Sequence, residues 1–155
     1  MNHVMENTLI VAVLLFILIV PFIIASARLK RKRKEKLGAL LQDVTEKYRL
    51  TLSRSEPVGD KIVGWDAATK ILICIANVVD EPQYIALKEA VKCRVLRTVN
   101  GTSVRSIALL FEGRNGQAVG ELSLYRQFTD NEMKLKDIER QARHWEQLLN
   151  ADMAS

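Results

Sequence analysis

Cysteine and histidine each occur only twice in the 155 residues, and glycine seven times. Cys74 and Cys93 each sit in an apolar run, without a His or further Cys at ligand spacing, which excludes a structural zinc site. They read as small buried hydrophobes rather than a disulfide pair. His3 and His144 have no nucleophile beside them, so no His-assisted hydrolytic arrangement is visible. The glycines never gather into the strand-to-helix pattern that cradles phosphates, which excludes Walker and dinucleotide loops. Asp80 and Glu81 read as a turn, and no carboxylate pair has the environment that acid and base catalysis requires. These shortages lead to the expectation of a protein without catalytic activity, cofactor or metal.

Charge is present but unevenly placed. Lys and Arg number 23 against 18 Asp and Glu, a net charge of +5. Seven cations, Arg28, Lys30, Arg31, Lys32, Arg33, Lys34 and Lys36, fall within nine consecutive residues, interrupted only by Leu29 and Glu35. From Leu37 to Ser155 there are sixteen cations and sixteen anions. A nucleic-acid-binding surface needs cations distributed along a phosphate track, so no nucleic-acid partner is expected. With 48% apolar and 26% charged residues the chain is not of disordered composition.

Residues 9–27, LIVAVLLFILIVPFIIASA, hold no charge. At about 1.5 Å per residue such a run approaches the roughly 30 Å of a bilayer core, which predicts a transmembrane helix with Pro21 inside it. Ala25-Ser26-Ala27 fits a signal-peptidase site, but residues 1–8 lack Lys and Arg, and the cations follow the apolar run instead of preceding it. The reading is an uncleaved anchor. The positive-inside rule then sets residues 1–8 outside as a tail and the basic run 28–36 inside, giving a single-pass inner-membrane protein with a cytoplasmic domain. The seven cations are the expected membrane-surface contact, among the anionic headgroups of the lipid bilayer.

Beyond the basic run, Leu37, Leu40, Leu41, Val44 and Tyr48 recur on one helical face, predicting an amphipathic helix over 37–50. Residues 51–60, with Ser53, Ser55, Pro57 and Gly59, read as a linker loop. Val, Ile and Leu then dominate short runs bounded by turn residues. Strands are expected at 62–65, 71–75, 83–87, 91–99, 104–111 and 118–126. Asp66 is placed to turn back on its own backbone after the first. Asn100-Gly101 and Asn115-Gly116 carry the hairpin dipeptide, so the last three strands form an antiparallel meander. Asn100-Gly101-Thr102 also matches a glycosylation sequon, unreachable from the cytoplasm. Thr129 with Glu132 predicts a capping box, and Leu135, Ile138, Ala142, Trp145 and Leu149 are spaced 3, 4, 3 and 4 apart, predicting a C-terminal helix with Trp145 as a core plug. The folded domain is thus expected over 61–150, with 151–155 as a tail.

This order of elements resembles the pleckstrin-homology-like superfold. The resemblance implies an α+β protein in which an N-terminal transmembrane helix precedes a PH-like antiparallel β-barrel or sheet of six or seven strands, strongly bent into a partly open barrel and capped by a C-terminal amphipathic helix. Ile62-Val63-Gly64-Trp65-Asp66, Ile85-Ala86-Leu87 leading into Val91-Lys92-Cys93-Arg94-Val95, and Ala142 with Trp145 are also similar to an uncharacterised group of small bacterial membrane-anchored proteins, which implies architecture and no activity. Lipid-binding pleckstrin domains place several cations on the first hairpin. Here Ile62 to Ile75 offers only Lys70, which speaks against phosphoinositide recognition. The function expected is a membrane-anchored binding or scaffold module that engages a protein or peptide partner through a sheet edge or the groove beside the last helix. The alternative is a sensor of anionic lipid, working through the basic run and the helix after it.

Overall fold

A computed structural model describes residues 2–77 and 79–154, leaving aside the side chains of residues 2–14 and of Leu18. The chain divides into two compact units, one ending at Lys36 and one beginning at Leu37. The described residues of the first are helical and belong to α1 (Asn2–Tyr48), with Pro21 inside the helix. Leu15, Phe16, Ile17, Ile19, Phe22, Ile23 and Ile24 are exposed on it.

The expected membrane anchor is corrected here. Among the described residues, no helix is long and apolar enough to cross a membrane. Leu9 to Leu14 and Leu18, on which the expected span also rests, lie outside the described side chains. The single-pass inner-membrane placement and the cytoplasmic assignment of the domain fall with the span.

The second unit opens with the last turns of α1. It continues through β1 (Arg54–Val58), β2 (Lys61–Asp66), β3 (Ile71–Ile75), β4 (Gln83–Ala86), β5 (Ala90–Asn100), β6 (Ser103–Gly113) and β7 (Ala118–Arg126), and ends in α2 (Leu135–Ala154). The strands form two antiparallel sheets, a four-stranded one in the order β1-β2-β3-β4 and a three-stranded one in the order β5-β6-β7. Among the described residues no barrel is formed, only two separate sheets, which corrects the expected PH-like barrel. The chain breaks between the sheets at Leu87, whose carbonyl accepts from Ala90 N at 3.2 Å, so β5 starts a new sheet instead of continuing β4. At the opposite seam the outward carbonyls of β7 are met by side chains. Gln83 Nε2 donates to Glu121 O at 3.3 Å, and Lys61 Nζ donates to Ser123 O at 3.1 Å and Leu124 O at 3.0 Å.

Residues 51–60 are not all linker, because β1 lies within them and pairs with β2 from Arg54↔Trp65 to Val58↔Lys61. Its sequence, RSEPV, hides the strand. Pro57 has no N–H to donate and is tolerated only because β1 is an edge. The expected capping box at Thr129 is replaced as well. Asn131 caps a short 3₁₀ turn, Glu132–Lys134, by accepting from Met133 N, and α2 follows directly.

β3 is apolar at every position because both of its faces are covered. Leu72 and Cys74 join the inner core, with Trp65, Phe111, Leu122, Tyr125 and Trp145. Ile73 and Ile75 point the other way, into a second cluster with Leu37, Leu41 and Val44 of α1. Each buried aliphatic side chain contributes about 1.5–3 kcal/mol as an upper bound, so five of them hold the end of α1 against the sheet. α2 buries Ile138, Ala142, Trp145 and Leu149 on the inner core, and all four belong to the periodic series read from the sequence. Where β7 approaches β4, Gly120 is required, since a Cβ there would lie 2.7 Å from Ile85 Cγ2.

Candidate functional site: the Phe128 end of the three-stranded sheet

A binding site at a sheet edge needs unpaired backbone groups, and α2 occupies two of the four edges. On β5, Asn150 makes a two-way pair with Cys93, accepting from its N–H at 2.7 Å and donating to its carbonyl at 2.8 Å. Glu146 accepts from Val95 N at 3.0 Å, and farther along Glu139 lies 3.9 Å from Arg97. On β1, Gln141 donates to Pro57 O at 3.0 Å and accepts from Gly59 N at 3.3 Å. Trp65 Nε1 donates to Asp152 at 2.8 Å. The helix that plugs the core is therefore bonded along both flanks, and the edges it runs beside are engaged.

The buried titratable groups have structural duties. Asp66 is buried and forms the turn read from the sequence, accepting from Ala68 N at 2.9 Å and Thr69 N at 3.1 Å, and from Thr51 N at 2.9 Å. Burial pushes its pKa up, but the hydrogen bonds from Thr69, Thr51 and Ala68 outweigh that and hold it below the usual carboxylate value. Cys74 and Cys93 are free and buried. Burial pushes the Cys74 thiol up to about 11, partly opposed by Lys61, and the Cys93 thiol up to about 12, with Glu146 adding to the effect. Neither has the electropositive, accessible setting of a reactive thiolate. Among the described residues no group of three or more His, Cys, Asp or Glu could hold a metal ion.

One surface combines exposed cations, an exposed aromatic and a strained backbone. At the β5–β6 hairpin end of the three-stranded sheet, a cleft of about 540 Å³ is lined by Asn100, Arg105, Ser106, Arg126, Gln127 and Phe128. Arg105 and Arg126 are exposed, and neither has an ion-pair partner among the described residues. Phe128 is 90% exposed and sits at φ 68°, a left-handed conformation that a bulky residue adopts only under constraint. The constraint is visible on both sides of it. Gln127 N donates to Arg105 O at 2.8 Å, and Asp130 Oδ2 accepts from Arg126 N at 2.7 Å. The same oxygen lies 3.4 Å from Lys61 Nζ. The ring is held out in solvent by a turn that is itself bolted down.

Sequence reasoning did not single out Phe128, Arg105 or Arg126. An aromatic between the end of a strand run and a helix cap reads as ordinary core, and its exposure depends on a backbone angle that no spacing rule reports. The basic residues that were singled out, Arg28, Lys30, Arg31, Lys32, Arg33, Lys34 and Lys36, are all exposed on α1. Among them only Arg31 has an acidic partner in the described residues, Glu35 at 3.2 Å. None of them lines the Phe128 cleft. The chain matches no protein-family model, no curated protein and no solved structure.

Proposed function

We propose that the second unit is a non-catalytic binding module that docks an acidic segment of a protein partner at the Phe128 end of the three-stranded sheet. The observation that carries this is the constrained exposure of Phe128. A left-handed backbone costs about 1–3 kcal/mol, and burying a phenyl ring inward would normally recover stability instead of leaving it in water. A ring kept outside at that cost is suited to burial by another molecule. Arg105 and Arg126 flank it without carboxylate partners, so charge complementarity selects a partner segment bearing Asp or Glu beside an apolar side chain. Exposed arginines pair with carboxylates in two-pronged geometry, which adds orientation to affinity.

The test is a photo-crosslinking side chain at Gln127 in the full chain. A single dominant protein adduct is expected, lost in Phe128→Gly and in Arg105→Glu with Arg126→Glu, and retained in Arg140→Glu with Arg143→Glu on the far face of α2. Adducts that survive the first two changes would sink the reading. Phe128→Gly is suited to this because glycine accepts the left-handed angle, so the variant folds.

The seven exposed cations from Arg28 to Lys36 support a second reading, contact of that segment with an anionic surface. The helix beyond them cannot contribute its apolar face, because Leu37, Leu41 and Val44 are buried against β3. Sedimentation with anionic vesicles, comparing the full chain with a variant carrying Gln at all seven positions, tests it; equal sedimentation of the two would exclude it.

A further inference from the structure

We infer that the opposite end of the three-stranded sheet carries a second site, built for a small organic dianion of the phosphomonoester class. Three turns meet there around a cleft of about 700 Å³, within the range of small-ligand sites. They are the β2–β3 turn ending at Lys70, the β4–β5 turn at Lys88 and Glu89, and the β6–β7 turn from Gly113 to Gln117. Each contributes one cation to the lining: Lys70, Lys88 and Arg114. None of the three has an ion-pair partner among the described residues. Glu89 is the one carboxylate in the lining, so the cleft carries two positive charges in excess. The two positive charges left in excess of Glu89 repel one another, and a dianion removes that repulsion. A phosphomonoester carries close to two negative charges at neutral pH and three acceptor oxygens.

The turns are fastened to one another, so the cleft exists before any ligand arrives. Leu87 N donates to Lys70 O at 2.8 Å, joining the first turn to the second. Glu89 O lies so close to Gly113 that a Cβ there would be 3.4 Å from it, which brings the second turn against the third. Gly113 N donates to Gln117 O, and Gly116 N to Gly113 O, both at 2.9 Å, which fixes the third. Lys70 adds an independent indication. It takes a left-handed backbone, φ 55°, at a turn position where glycine would be unstrained, and it is half-buried at the cleft. Ala90, Val91, Val119 and Met153 supply apolar lining, which would accept the organic part of the ester.

The probes are phenyl phosphate and inorganic phosphate, added to the full chain and followed by amide chemical shifts and thermal unfolding. Saturable binding of phenyl phosphate is expected, tighter than that of inorganic phosphate, with shifts concentrated at Lys70, Lys88 and the 113–117 turn. Lys70→Gly removes the cation while relieving the backbone, so the variant folds and must still bind roughly tenfold more weakly. Lys88→Gln and Arg114→Gln should do the same, and Arg105→Gln with Arg126→Gln should leave binding unchanged. The inference is overturned if neither probe saturates at millimolar concentration, if sodium chloride at equal ionic strength reproduces the shifts, or if the Lys70, Lys88 and Arg114 variants bind as the parent does.

Discussion

Lys61 at the start of β2 and Asp130 in the turn after β7 lie 3.4 Å apart, with only 12% and 16% of their side chains exposed. Lys61 also donates to two carbonyls of β7. One ammonium thus closes the seam between the two sheets and steadies the turn that presents Phe128. Lys61→Met keeps the length and removes the charge, leaving Ser123 O, Leu124 O and a shielded carboxylate without that partner. A loss of about 2–4 kcal/mol is expected in urea denaturation. Adding Asp130→Asn should recover part of it, because the carboxylate left behind by the first change is then removed. A double variant as unstable as the sum of the two single ones would show that the two side chains do not interact.

Asp66 should make stability depend on acidity. Its folded pKa lies below its ordinary value of 3.8, so its contribution is complete above that value and is lost as the pH falls through the folded value. Asp66→Asn cannot accept at both oxygens, and it turns an amide N–H₂ toward backbone donors. At neutral pH it should cost about 1–3 kcal/mol. The difference between parent and variant should begin to shrink as the pH falls below about 4, the range of the unfolded carboxylate, and should go on shrinking through the lower folded value, where the folded parent's carboxylate protonates. Urea midpoints at a series of pH values check this, and a difference that stayed constant down to strong acid would contradict the assigned role.

The thiols should be silent in the folded protein. With Cys74 raised to about 11 and Cys93 to about 12, and both buried, almost no thiolate exists at pH 8. A disulfide-exchange reagent that gives a coloured product should therefore label neither in native buffer and both in denaturant. Fast labelling of either in native buffer would mean that its strand opens locally without global unfolding.

How much of this was legible in the sequence depends on how local the cause was. The turn at Asp66 was readable because an aspartate bonds its own backbone two residues on, and Ala68 N does donate to it. The α2 stripe of Ile138, Ala142, Trp145 and Leu149 was readable because helical periodicity reports a buried face directly. β1 was hidden, since Pro57 and three polar residues give it no strand pattern and its existence depends on pairing with β2. The separation into two sheets was hidden for a related reason. Strand order along the chain does not say whether β7 meets a backbone or a side chain, and here it meets Lys61 and Gln83. The span expected over residues 9–27 is overturned among the described residues, where no helix is long and apolar enough to cross a membrane. The Phe128 cleft escaped because its decisive feature is a backbone angle, and Arg105 and Arg126 come together only through the β6–β7 register, in which Ser106 pairs with Arg126.

Asn150 offers the most local test of how α2 guards the sheet. Its amide bonds Cys93 at both N–H and C=O, standing in for the strand that an edge position would otherwise recruit. Asn150→Ala leaves both groups without that partner while the apolar face of α2, with Trp145 at its centre, stays packed. A loss of about 2–3 kcal/mol is expected, with no change of fold. Hydrogen exchange gives the discriminating readout. The Cys93 amide should exchange much faster in the variant, whereas the Val95 amide, held at 3.0 Å by Glu146, should change far less. Uniform acceleration along β5 would instead mean that α2 detaches as a unit once Asn150 is gone, and that the helix rather than the single amide protects the edge.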